Sequence, residues 1–202
     1  MSHTEIELKA VVDAWDACRA RLERSGAQLV FAGRLEDRRF DTPEGALAAR
    51  DHVLRVRVYR DASGERAELA WKGPTRRVAG FKEREEQQTA VGESEVVMTM
   101  LERLGYVVTH AIDRDIVQYE LADAVVRLER YPCMDDLVEV EGSREAIERA
   151  IALMEIPRDA FSSDRLLDFA LRFEQRTGRR AVLADARALA TRAAPAAGTD
   201  DG

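Results

Sequence analysis

Glutamates recur at a spacing of two at both ends of the charged part of this chain. Glu5 and Glu7 form one pair, Glu139 and Glu141 the other, and Glu129 is a further candidate. In an extended segment that spacing puts both members of a pair on one face. Carboxylates held side by side repel unless a cation sits between them or a base neutralises them. Bases follow the same rhythm: Lys9 comes two after Glu7, Arg55 and Arg57 pair, Glu68 and Lys72 share a parity, and so do Lys82, Arg84 and Glu86. Arginine suits bidentate phosphate recognition. Oxygen ligands for Mg²⁺ or Mn²⁺ beside guanidinium and ammonium groups suit a polyanion that carries metal ions, most simply a triphosphate.

Strands must position these side chains. Residues 4–12 alternate charged and apolar positions, as do residues 52–60, where Leu54, Val56 and Val58 oppose Arg55, Arg57 and Tyr59. Further strands are predicted over 28–40, 65–72, 81–91, 106–120, 124–131 and 137–141. Helices are predicted from an Asp13 cap to Arg24, over 92–104 with Val96, Val97, Met100 and Leu104 buried, over 143–154 with a Ser143 cap, and over 163–176 with Ser163 as its cap. A last helix is expected over 182–193, within a C-terminal extension of 177–193, and residues 194–202 read as a disordered tail. Trp15, Leu22, Met100, Leu104 and Leu171 read as core. The pattern is that of an antiparallel α+β domain of roughly eight strands. Periodicity alone favours the plainer account, a sheet with one wet face. If the sheet closes into a barrel, the charged face becomes its lumen.

Composition removes other classes. The 202 residues carry 31 Lys and Arg against 38 Asp and Glu, a net charge of −7, which lacks the basic field of a dedicated duplex-DNA binder. Tyr59 and Trp71 among basic strand residues hint at RNA, but the paired glutamates would repel a phosphate chain without metals. Cys18 and Cys133 form neither a disulfide framework nor a zinc motif. No apolar run approaches a membrane span and the start has no secretory pattern, so a soluble cytoplasmic protein is expected. His3, His52 and His110 are scattered and read as surface residues. Walker loops, nucleophile elbows and zincin helices do not occur.

The order of motifs resembles the CYTH superfamily, also called triphosphate tunnel metalloenzymes. Glu5-Ile6-Glu7-Leu8-Lys9 resembles its Glu-x-Glu-x-Lys signature, Phe40-Asp41-Thr42-Pro43 its Phe-Asp-Thr-Pro turn, and Leu54-Arg55-Val56-Arg57 its Leu-Arg-x-Arg strand. Trp71-Lys72-Gly73-Pro74, Lys82-Glu83-Arg84-Glu85-Glu86 and Val138-Glu139-Val140-Glu141-Gly142 resemble later strands, and Arg114 falls where another carries a base. The resemblance covers about residues 4–170. It implies an eight-stranded antiparallel β tunnel barrel with flanking helices, over a domain of residues 1–176, that binds triphosphate. It implies that Glu5, Glu7, Glu129, Glu139 and Glu141 hold Mg²⁺ or Mn²⁺. Lys9, Arg55, Arg57, Lys72, Lys82, Arg84 and Arg114 would grip the phosphates, with Lys9, Lys72 and Arg84 catalytic.

There are departures: Ile112 replaces a lysine, Arg39 a tyrosine, and Glu129 stands where Asp is common. The expected activity is hydrolysis of an organic or inorganic triphosphate (ATP, inorganic triphosphate or thiamine triphosphate). The alternatives are a class IV adenylate cyclase and a non-catalytic polyphosphate or nucleotide-binding module. Nucleic-acid or membrane partners are not expected, and barrels of this type could pair as homodimers through exposed strands.

Overall fold

The computed structural model describes residues 2–185. Alternation of apolar and charged residues yields nine strands: β1 (Ser2–Val11), β2 (Gln28–Asp41), β3 (Val53–Asp61), β4 (Gly64–Lys72), β5 (Arg76–Val78), β6 (Phe81–Val91), β7 (Val107–Leu121), β8 (Ala124–Arg130) and β9 (Leu137–Glu141). Neighbours run β1-β9-β8-β7-β2-β3-β4-β6, and β1 also pairs with β6, which closes an eight-stranded antiparallel barrel. The ninth strand, β5, continues β4 along the same edge of β6: Lys72 faces Glu86 and Arg76 faces Glu83. One extra residue between these pairs makes a bulge at Gly73-Pro74-Thr75, where proline has no N–H to give to the ladder. The Gly73 N–H still donates to the Glu85 carbonyl at 2.9 Å.

Four helices pack outside: α1 (Trp15–Arg24), α2 (Ser94–Arg103), α3 (Arg144–Met154) and α4 (Leu166–Thr177). The apolar face of the strands therefore points outward, and the core lies between barrel and helices. Leu8, Leu22, Val126, Leu128, Val140, Ile147, Ile151 and Met154 form its largest part. A second part sits under α2, with Phe40, Val56, Val58, Met98 and Leu101. Each such side chain contributes about 1.5–3 kcal/mol on burial, so apolar packing outside the barrel can hold a lumen filled with charge.

The helices depart from expectation in detail. In α2, Met98 and Leu101 are buried whereas Val96, Met100 and Leu104 are exposed. Two apolar stripes were available, and the buried one is set by docking on β3 and by the Ser94 hydroxyl donating to Glu65 at 3.1 Å. Trp15 is only half-buried, against the Arg130 guanidinium at 4.4 Å, and Leu171 is exposed. α1 begins after Ala14, not on an Asp13 cap. Ser143 does cap α3, accepting from the Ala146 N–H. α4 starts at Leu166, with Asp168 accepting from the Arg165 N–H at 2.9 Å, and Ser163 instead accepts from Arg77. Val182 exchanges backbone bonds with Cys133 in an isolated bridge, so 182–185 are not helical. Residues 186–202, with the rest of the expected helix and tail, lie outside the described residues. No described helix is long and apolar enough to cross a membrane.

Gly33 on β2 marks a close approach of two strands. A Cβ there would sit 2.2 Å from the Arg60 carbonyl oxygen, a backbone atom that cannot swing away. Gly33→Ala is therefore expected to cost about 3 kcal/mol and lower Tm by roughly 10 °C in a thermal melt. An unchanged Tm would show that β2 and β3 can part there at no cost.

Candidate functional site

Barrel closure turns the charged positions inward. Across strands, Glu5 faces Arg84 and Glu7 faces Lys82 on β6, while Lys9 faces Glu139 and Glu7 faces Glu141 on β9. These residues surround a cavity of about 290 Å³. Its lining includes Glu5, Glu7, Lys9, Arg55, Arg57, Lys72, Lys82, Arg84, Arg114, Glu129 and Glu139. Of the residues singled out from sequence, Glu141 alone does not line it, lying two residues past Glu139 along β9.

Carboxylate and cation are interleaved. Lys72 binds Glu5 and lies 3.1 Å from Glu86; Lys82 binds Glu7; Lys9 binds Glu139 and lies 2.8 Å from Glu7. Arg114 donates to Glu129 at 2.8 Å, and the Tyr131 hydroxyl donates to the other Glu129 oxygen at 2.6 Å. Arg84 reaches away from this network: its Nε donates to the Gly73 carbonyl at 2.7 Å and its Nη2 to the Asp51 carbonyl at 2.5 Å. The bulge after Lys72 thus positions Arg84.

Sequence reasoning gave no site role to Asp37, Arg39, Glu86, Arg127 or Tyr131. Asp37 is fully buried, 3.3 Å from Arg57, 3.6 Å from Arg55 and 3.7 Å from Arg39. Arg127 holds Glu139 at 2.7 Å. Asp37 and Arg39 show the same spacing of two as the recognised pairs, which is the signal that could have found them. The two histidines with described side chains are not remote from the cavity: His52, edge-to-face with Trp71 at 5.1 Å, and His110 both line its mouth.

The guanidinium groups are not used up. Arg39 Nε, Arg55 Nε, Arg57 Nε and Arg114 Nη1 are buried without a hydrogen-bond partner. Asp37 Oδ1 is also unpaired and lies 3.7 Å from Arg39 Nε; an unmet buried donor costs about 1–3 kcal/mol, more when charged, so the three remaining donors suit an acceptor-rich anion.

Burial pushes the Asp37 carboxyl up, but Arg55, Arg39, Arg57 and Arg114 outweigh it and hold the group well below the usual carboxylate range. A carboxylate depressed on folding contributes fully above its unfolded value, near ~3.9, and loses that contribution as pH falls toward the folded value. Asp37→Asn should therefore lower Tm most at pH 5 and above, with the gap to wild type narrowing below about pH 4. A gap that stays constant from pH 7 to 2 would contradict this electrostatic role. Glu5 also sits below its ordinary range: burial and Glu7 push it up, but Lys72 and Arg55 pull it down further. Glu141 goes the other way. Burial, then Glu5 and Glu139, push it up to about 7 against Arg127 and Lys72.

No group of three or more His, Cys, Asp or Glu among the described residues is arranged to hold a metal ion. Four of the glutamates are instead drawn to lumen bases. The donor set nonetheless has the chemistry of a hard divalent cation site. Glu7 and Glu141 stand directly opposite in register, an arrangement that is destabilising for like charges, and Glu141 is pushed toward its neutral form.

A closed antiparallel barrel with its core outside and opposed carboxylates and guanidinium groups inside defines the class, a charged-lumen β-barrel. The chain belongs to the CYTH domain family, whose model matches residues 3–162. No curated protein matches it. Among solved structures, it resembles a candidate adenylate cyclase from Vibrio parahaemolyticus at TM-score 0.71 and 18% identity, covering 84% of this chain and 98% of that one. A Pyrococcus horikoshii protein matches at 0.67 and 21%, with 83% and 98% covered. A candidate adenylyl cyclase from Hippeastrum, described as having a dominant triphosphatase activity, matches at 0.61 and 18%, with 91% and 99% covered. At these identities the likeness is one of fold.

Proposed function

We propose that this protein is a divalent-metal-dependent enzyme that hydrolyses an organic or inorganic triphosphate held in the barrel lumen. The observation that carries the reading is the set of buried guanidinium N–H groups without acceptors, facing a wall of carboxylates in one cavity. Membership in the CYTH domain family supports it, as does the triphosphatase activity of the Hippeastrum relative. Arg55, Arg57, Arg114 and Arg39 would take phosphate oxygens from one side, and Lys72, Lys82, Lys9 and Arg84 from the other.

Glu5, Glu7, Glu139 and Glu141, with Glu129, would hold Mg²⁺ or Mn²⁺, which supplies charge neutralisation and a more acidic water when bound. The lumen bases now hold Glu5, Glu7, Glu129 and Glu139, and phosphate oxygens would compete for the same bases. The protein's own part is positioning and charge stabilisation, with no covalent intermediate.

A phosphorus NMR time course of the protein with ATP and Mn²⁺ tests this. ADP with orthophosphate is expected, followed by a comparison of inorganic and thiamine triphosphates. Pyrophosphate with a cyclic phosphodiester would make it a cyclase instead. An unchanged spectrum with all three triphosphates, alongside a triphosphate-dependent rise in Tm, would make it a binding module.

A further inference from the structure

The outer face of α2 carries an apolar stripe that the barrel does not use. On its inner side, Met98 and Leu101 dock over Val56, Val58 and Ala67. On the outer side, Val96, Met100 and Leu104 are 43%, 59% and 74% exposed. The Leu104 N–H still donates to the Met100 carbonyl at 3.0 Å, so the three follow one helical path at a spacing of four. A second row at the same spacing, Glu95, Thr99 and Arg103, runs beside them, and the two rows line a groove. The Thr99 hydroxyl donates to the Glu95 carbonyl at 2.9 Å, so its hydrogen bond is met within the helix. Glu95 and Arg103 are exposed in the first and last turns.

We infer that two copies of the chain associate through this face, α2 against α2 and antiparallel. The pattern is its own complement. Rows at a spacing of four are the ridges that interdigitate in the commonest mode of helix packing. A two-fold axis at the level of Thr99 and Met100 brings each row onto the same row of the second copy, run in reverse. Met100 then meets Met100 of the second copy, Val96 meets its Leu104, and Glu95 meets its Arg103. A parallel pairing would instead set Glu95 against Glu95 and Arg103 against Arg103. The helix dipole alone accounts for an acid in the first turn and a base in the last. It does not account for three large apolar side chains left in water between them. At ten residues, α2 is about 15 Å long. That is too short for a standard interface of roughly 800 Å² per partner, so the dimer is a weak one, with Kd of about 1–100 μM. None of the six residues lines the lumen cavity, so each copy keeps its own site.

Sedimentation velocity of the full chain from about 1 to 500 μM tests the inference. Wild type should pass from monomer to dimer over this range. Met100→Glu should raise Kd about a hundredfold, because it sets two like charges together at the axis. Glu95→Arg should raise it about tenfold, and Glu95→Arg with Arg103→Glu should return it to within about threefold of wild type. The exchange restores both ion pairs only when the helices run antiparallel.

A chain that stays monomeric throughout overturns the inference and leaves the stripe to a different partner. A dimer indifferent to Met100→Glu also overturns it, since the contact would then lie elsewhere on the surface. A charge exchange that fails to restore association overturns the antiparallel register. All three positions are exposed, so Tm at monomeric concentration should stay within about 2 °C of wild type. Should Met100→Glu fail to fold, Glu95→Arg and the exchange still decide.

Discussion

Lys72→Ala is expected to lower kcat/KM for the proposed triphosphate hydrolysis by about a thousandfold or more. Lys72 is 6% exposed: its ammonium binds Glu5 on β1, lies 3.1 Å from Glu86 on β6, and neighbours Arg55 on the adjacent strand β3. Burial, then Arg55, pull it below the ordinary lysine range, against Glu5, Glu7 and Glu86. Truncation removes a positive charge from the proposed path of the phosphates and leaves Glu5 and Glu86 with one cation fewer. Removing one partner of a buried pair costs about 3–5 kcal/mol, so the variant should also melt lower. Lys72→Arg keeps the charge on a longer, planar group. It should recover most of the stability, since the fork can still take both Glu5 oxygens, and only part of the activity, because the planar group cannot place its charge where the compact ammonium stands. Measuring phosphate release and Tm on both variants separates the two effects. Activity within tenfold of wild type in Lys72→Ala would remove this residue from the phosphate path.

The barrel was legible because its strands alternate so regularly. Apolar positions such as Leu8, Val56, Val126 and Val140 mark the outside, and charged positions between them mark the lumen. Which way the charged face pointed was not legible from periodicity, since a wet outer face gives the same alternation; closure by the β1–β6 pairing decides it. The order of motifs implied that closure through the family resemblance. Asp37 was missed because an acid in the mixed run Glu36-Asp37-Arg38-Arg39 on a long strand looks like an ordinary surface position. Its importance depends on β3 and β7 bringing Arg55, Arg57 and Arg114 around it, contacts far apart in sequence. The buried stripe of α2 was misread for a related reason. Val96, Met100 and Leu104 repeat as well as the buried positions do, and only docking chooses between them.

Glu5→Gln with Glu7→Gln should abolish turnover, by about three orders of magnitude or more, while leaving metal-free triphosphate binding intact. The two carboxylates are 6% and 5% exposed and lie on the wall where Glu139 and Glu141 also stand. Glutamine keeps their shape and removes their charge. In the wild-type lumen Glu5 engages Lys72, and Glu7 engages Lys9 and Lys82. With those charges gone the three lysines have less competition, so tripolyphosphate in the presence of EDTA should raise Tm by at least as much as it does for wild type. The variant thus separates the two proposed roles, anion binding by the bases and turnover through a metal held by the acids. Turnover that persists with both glutamines in place would remove Glu5 and Glu7 from the metal set. It would leave Glu139, Glu141 and Glu129 to account for any metal dependence.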